Sequence, residues 1–138
     1  MKKAIQTNKS ILTLSTALIL LVVLGTACAG PANPQVYTDQ DASKTIELKA
    51  GASFQVVLDG NPTTGYMWEL DPSSSAPVKQ SGDAAFKADS QATGSGGKLT
   101  FTFQATGAGQ GTLKLVYHRS WEKNAPPEKT FEMTVVVK

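Results

Sequence analysis

A chain of 138 residues is long enough for one domain with a real core and too short for two ordinary ones. Its 13 basic and 11 acidic side chains leave a net charge of +2, with no basic stripe of the kind that neutralises phosphates, which argues against nucleic-acid binding. The single cysteine excludes an internal disulfide, so the domain has to be held by its core.

Residues 1–27 read as an export signal. Lys2, Lys3 and Lys9 give a positive start, Ile11 to Leu24 is apolar and broken only by small and hydroxyl residues, and no acidic residue precedes Asp39. The run Leu24-Gly25-Thr26-Ala27-Cys28 leads through small residues into the only cysteine. It resembles the lipobox of a bacterial-type lipoprotein, with Gly25 where that motif usually carries leucine. The resemblance implies that Cys28 is lipidated and becomes the first residue of the mature chain. An uncleaved anchor is the alternative, because Ile11 to Ala29 is 19 residues without a charge. Either form predicts an exported protein at the cell surface or in the periplasm, attached to the membrane. Residues 1–27 carry three of the 13 basic residues and no acidic one, so ten face 11 in the remainder and its balance is −1. The apparent basicity belongs to the signal. Residues 28–43, poor in apolar side chains and containing Pro, Ala, Asn and Gln, predict a flexible tether.

From Lys44 to Lys138 the apolar residues recur with period two, as half-buried strands require. Strands are predicted at 45–48, 53–59, 66–70, near 78, and at 98–106, 112–118 and 129–137. Phe54, Val56 and Leu58 share one face, as do Tyr66, Trp68 and Leu70. Residues 73–90 are the least patterned part, with a short strand around Pro77 to Gln80 and room for one helical turn near Ala84. About seven short strands bounded by Gly, Pro, Asn and Asp, with no alternation of strands and helices, predict an all-β fold, an immunoglobulin-like antiparallel sandwich. An up-and-down barrel is the alternative.

The inventory for catalysis is thin. The lone histidine, His118, has no nucleophile and orienting acid in evidence, and Cys28 lies at the signal boundary. Ligand-spaced His and Cys residues are missing, so neither a metal nor a cofactor is expected. What the chain does carry is loop chemistry suited to binding. Trp121 lies in a connection that runs into Pro126-Pro127, where it either reaches a partner or folds back to cap the sandwich. In an antiparallel sandwich alternate connections lie at the same end, so Asn61-Pro62-Thr63-Thr64-Gly65, Gly94-Ser95-Gly96-Gly97 and Arg119-Ser120-Trp121 should share one surface. The glycine-rich hairpin Gly107 to Gly111 should lie at the other.

These three loops, in this order on such a domain, resemble the chagasin-like inhibitors of papain-family cysteine peptidases, whose signature is NPTTG, GxGG and RPW. The first two are complete here, and the third has Ser120 where the family usually has proline. The resemblance covers about residues 44–138. It implies a reversible, tight-binding protease inhibitor, not an enzyme, whose partner is a papain-family cysteine protease and which acts as a monomer. By that resemblance Thr63 and Thr64 would sit over the catalytic centre, in a tip completed by Asn61, Pro62, Gly65 and Tyr66. Gly94, Ser95, Gly96 and Gly97 would run along the non-prime side. Trp121 would pack on the prime side, with Ser120 beside it and Arg119 supporting the loop or pairing at the rim. A cell-surface adhesion or ligand-binding module using the same loops is the competing expectation.

Overall fold

Along Ser53–Gly60 every second side chain points to the same side, and Phe54, Val56 and Leu58 are each at most 1% exposed while their neighbours are not. The same alternation buries Leu99, Phe101 and Phe103, Leu113, Leu115 and Tyr117, and Phe131, Met133, Val135 and Val137. The computed structural model describes residues 33–122 and 124–138. The predicted signal over 1–27, Cys28 and the first part of the tether lie outside the described residues.

In chain order the strands are β1 (Gln35–Thr38), β2 (Thr45–Leu48), β3 (Ser53–Gly60), β4 (Met67–Leu70), β5 (Val78–Gln80), β6 (Ala85–Ala88), β7 (Gly97–Ala105), β8 (Gly109–His118) and β9 (Lys129–Val137). Single 3-10 turns occupy Asp39–Asp41 and Pro62–Thr64. One sheet runs β1-β3-β7, with β5 and β6 both pairing along the far side of β7; the other runs β2-β9-β8-β4. The inward faces of the two sheets meet in one core. Phe54 stacks on Phe103 at 5.5 Å between ring centroids, and Tyr37 meets the Phe54 ring edge-on at 5.8 Å.

The immunoglobulin-like sandwich is the observed class, with three differences from the sequence expectation. Both sheets are mixed, because β1 pairs parallel with β3 and β2 pairs parallel with β9. Strands joined by connections that cross between the sheets escape the hairpin constraint that makes neighbours antiparallel. A strand, β6, stands where the sequence leaves room for one helical turn near Ala84. All four of its residues are exposed, so no burial period marks it, and pairing with Gly97 to Thr100 of β7 holds it extended.

The third difference concerns the predicted tether 28–43, whose described part is folded from Gln35 onward. From Gln35 the chain is built into the sandwich by β1, by Tyr37 on Phe54, and by Asp41. Asp41 accepts the Thr38 backbone N–H at 2.8 Å and pairs with Lys44 at 2.7 Å. Only Val36 and Tyr37 are large and apolar in this stretch, too few to show a period.

Strand direction then places the loops. Gly60 at the end of β3 faces Gly97 at the start of β7, and Met67 at the start of β4 faces His118 at the end of β8. The connections 61–66, 89–96 and 119–128 therefore leave one end of the sandwich, and Gly107 lies at the other.

The Asp41 carboxyl is held below the usual carboxylate range, chiefly by the Lys44 hydrogen bond and next by the Thr38 amide. A depressed folded pKa contributes stability that is complete above the unfolded value of about 3.9 and is lost as pH falls through the folded one. Hydrogen-exchange protection of the β1 amides, corrected for intrinsic rates, should fall between about pH 5 and pH 2 in the wild type. Asp41→Asn should lower it already at pH 7; equal protection in the two proteins at neutral pH would contradict the clamp.

Candidate functional site

The tip 61–65 is organised by its first residue. Asn61 is extended and caps the 3-10 turn that follows: its Oδ1 accepts the Thr63 amide at 3.1 Å and the Thr63 hydroxyl at 2.6 Å. Pro62 occupies the first turn position, where its missing N–H costs nothing. The Thr64 amide and hydroxyl both donate to the Asn61 carbonyl, at 3.1 and 2.6 Å, and the Gly65 amide donates to the Pro62 carbonyl at 3.0 Å. Gly65 ends the turn at φ +81°, and a Cβ there would also overlap the Trp121 indole. Backbone conformation and close approach both demand glycine at this position.

Three contacts fasten this tip to its surroundings. The Asn61 amide donates to the Tyr117 hydroxyl at 2.9 Å, fixing the tip to the end of β8. Asn61 Nδ2 donates to the Gly94 carbonyl at 2.9 Å, fixing it to the second loop. On the exit side Tyr66 stacks on Tyr117 at 5.3 Å, Tyr117 lies 5.2 Å from Trp68, and the buried Trp68 donates from Nε1 to the Asp59 carbonyl at 3.0 Å.

The second loop closes on itself. The Ser95 hydroxyl donates to the Gly96 carbonyl at 3.0 Å and accepts the Ser90 amide at 3.2 Å, while the Asp89 amide donates to Gly96 at 2.9 Å. Gly97 belongs to β7 and is buried, and a Cβ on it would run into the backbone of Lys87 and Ala88. Its place in the motif therefore has a packing reason: β6 passes too close for any side chain. Gly94, Ser95 and Gly96 form the loop proper.

In the third loop the Glu122 amide donates to the Arg119 carbonyl at 3.0 Å, closing a turn that carries Ser120 and Trp121. Arg119 Nη1 donates to Glu122 Oε1 at 3.0 Å, and the guanidinium carbon lies 4.3 Å from the centre of the Tyr66 ring. The hydrogen bond to Glu122 holds the Arg119 pKa above its ordinary value. Trp121 rests against Gly65 yet stays 64% exposed, so it does not cap the core. His118 pairs with Glu69 across β4 and β8 at 3.0 Å.

All three loops are thus brought to one end and joined: Asn61 links the first to the second, and Tyr66 and Gly65 link the first to the third. A cleft of about 450 Å³ lies between the first and second loops, and its lining includes Asp59 paired with Lys98, Asp89, Tyr117 and Lys129. Among the described residues no cluster of three His, Cys, Asp or Glu side chains is placed to hold a metal ion.

Sequence reasoning missed Tyr117 and Glu122. By pattern Tyr117 is one more inward residue of the strand 112–118; the signal that sets it apart is a hydroxyl on the last inward position before the loops. Glu122 stands three residues after Arg119, the spacing at which a turn brings two side chains together.

Replacing Asn61 separates its two jobs. Asn61→Asp keeps the oxygen that caps the turn and loses the donor to Gly94, whereas Asn61→Ala loses both. Asn61→Ala should cost about 1 kcal/mol in urea unfolding, the usual scale for a side-chain cap. Asn61→Asp should cost less, while raising hydrogen exchange in residues 94–96 as much as the alanine does. Unchanged exchange there in both variants would remove the cross-loop link.

Residues 47–135 match the model of the chagasin family of peptidase inhibitors, I42. The chain is 35% identical over 103 residues to amoebiasin-1 of Entamoeba histolytica, an alignment that covers 72% of this chain and 96% of that protein. It is 28% identical over 98 residues to chagasin of Trypanosoma cruzi, covering 68% and 87%. The crystal structure of the cysteine protease inhibitor EhICP2 from Entamoeba histolytica shares the fold, with a TM-score of 0.65 at 23% identity over 75% of this chain and 95% of that one. An inhibitor family, a sandwich of the same kind and three cross-linked loops at one end lead to the same place: the chain belongs to the chagasin family of peptidase inhibitors.

Proposed function

We propose that the protein inhibits papain-family cysteine proteases reversibly, by inserting the edge made of Asn61 to Tyr66, Gly94 to Gly96 and Arg119 to Trp121 into the active-site cleft, with Gly97 as the buried strand residue behind the second loop. The observation that carries this reading is the mutual fastening of the three loops. A ligand already held in its bound shape loses less conformational entropy on association, and that saving goes into affinity.

The tip explains how such a ligand escapes cleavage. A protease attacks a peptide bond presented in an extended strand, but Thr64 and Gly65 direct their amides into turn hydrogen bonds, to Asn61 and Pro62. Thr63 and Thr64 would lie over the catalytic cysteine and histidine as a closed turn, out of line for attack. Gly94 to Gly96 leave backbone groups free of bulky side chains beside the tip, suited to strand-like hydrogen bonding with a cleft wall. Trp121 supplies a large, half-immobilised aromatic surface on the opposite flank, the type of side chain that dominates interface energetics. No cofactor or metal enters this mechanism.

We further infer that the domain is exported and held at a membrane through lipidated Cys28, on the strength of the charge pattern of residues 1–27 and the small residues before the cysteine. Mass spectrometry of the mature protein should find Cys28 as a diacylated or triacylated first residue, and Cys28→Ser should move the protein out of the membrane fraction. Membrane retention of Cys28→Ser would replace the lipid by an uncleaved anchor.

The inhibitory reading is tested with papain and a fluorogenic substrate. Tight, reversible, one-to-one inhibition is expected from the wild type. Trp121→Ala should weaken it by roughly 2 kcal/mol, or about 30-fold, with an unchanged circular dichroism spectrum. An inhibition constant within twofold of wild type would take Trp121 out of the interface, and no inhibition by the wild type would leave a non-inhibitory ligand-binding module as the better reading.

A further inference from the structure

Arg119 is the one formal charge in the three motifs, and although its side chain is 34% exposed its guanidinium is engaged by neighbours in the same edge. Nη1 is engaged by Glu122 at 3.0 Å, the planar group covers the Tyr66 ring at 4.3 Å, and Nε is closed to solvent. The Tyr66 ring beneath it is itself stacked on Tyr117 at 5.3 Å, so the guanidinium is the last layer of a stack rooted in β8. Trp121, 64% exposed, presents the large apolar surface of this turn outward. Ser120 gives the turn no fixed φ, so its order has to come from side-chain contacts and the single Glu122 to Arg119 backbone bond.

We propose that Arg119 and Glu122 are positioning residues for target binding: with Tyr66 they form a latch that holds the third loop against the first and stands Trp121 on Gly65, and the Arg119 charge is spent within the inhibitor, away from the protease. The inference rests on the inhibitory role given to this edge.

Two physical distinctions separate a latch from a contact. A charge at an interface rim acts mainly on the association rate and on its salt dependence, whereas loss of preorganised packing acts on dissociation. A lysine keeps the charge of arginine but loses the planar group that can lie on a ring while pairing with a carboxylate. A rim charge should therefore be rescued by lysine, and a latch should not.

The test uses the full-length protein with papain in stopped-flow measurements at several ionic strengths. Arg119→Ala is expected to raise the dissociation rate about tenfold and to leave the salt dependence of association unchanged. Arg119→Lys should lose nearly as much as the alanine variant. Glu122→Gln should shift dissociation in the same direction although it changes the net charge of the edge in the opposite sense. A second measurement needs no protease. Trp68 is buried, so acrylamide quenching of tryptophan fluorescence reports mainly on Trp121, and it should increase in all three variants. Rescue by lysine, a reduced salt dependence with unchanged dissociation, or quenching equal to wild type would each overturn the latch. A wild type that fails to inhibit papain would refute the protease target, and the quenching comparison would still decide whether the latch exists.

Discussion

The phenol of Tyr117 is the point on which the binding edge depends. It occupies the last inward position of β8, where the side-chain alternation of a strand still aims it into the core while its hydroxyl reaches the end of the sandwich. From there it accepts the Asn61 amide, carries Tyr66 on its ring and lies against Trp68. The start and the finish of the NPTTG tip are therefore both fixed to one residue of the core. Everything further out, from Gly94 through Asn61 to Trp121 through Gly65, is positioned relative to that residue. A buried hydrogen bond left without its partner costs more than the bond itself is worth, which is why a single hydroxyl here has leverage on three loops.

Much of the fold was legible because it rests on period-two alternation. The seven anticipated strands appear within a residue or two at most ends, and the shared end of the three loops followed from counting strands. The parts that were not legible share a cause. β1 and β6 are exposed edge strands held by backbone pairing to β3 and β7, and backbone pairing leaves no trace in side-chain pattern. The parallel pairing of β1 with β3 and of β2 with β9 was hidden for the same reason. In the site, the motif residues themselves stood out, but their division of labour did not. Gly65 and Gly97 look alike in sequence; one admits a left-handed turn under an indole, the other lets a neighbouring strand pass.

The edge is fastened by hydrogen bonds within its loops, between them and to β8, and carries mild chemistry. Its ion pairs, Asp59 with Lys98 and Arg119 with Glu122, and the contact of Glu69 with His118 join residues of the inhibitor to each other, and the tip presents hydroxyls and backbone. Set into a cleft as proposed, a surface of this kind would act by shape and by backbone hydrogen bonding, with one aromatic side chain for area. Such recognition tolerates variation in the partner's surface charge and is strict about the width of the opening.

The parallel pairing of β1 with β3 bears on mechanics. β3 runs toward the loop end, so Gln35 opposite Phe54 sits near the other pole and Thr38 opposite Val57 lies further along. A pull on the chain ahead of Gln35, with the loop edge gripped by a partner, is directed along the strands. The four residue pairs of the β1–β3 ladder then bear the load together, in shear, and do not peel one after another from the end. An inhibitor gripped at one pole and tugged at the other would resist most strongly along the very line that joins them.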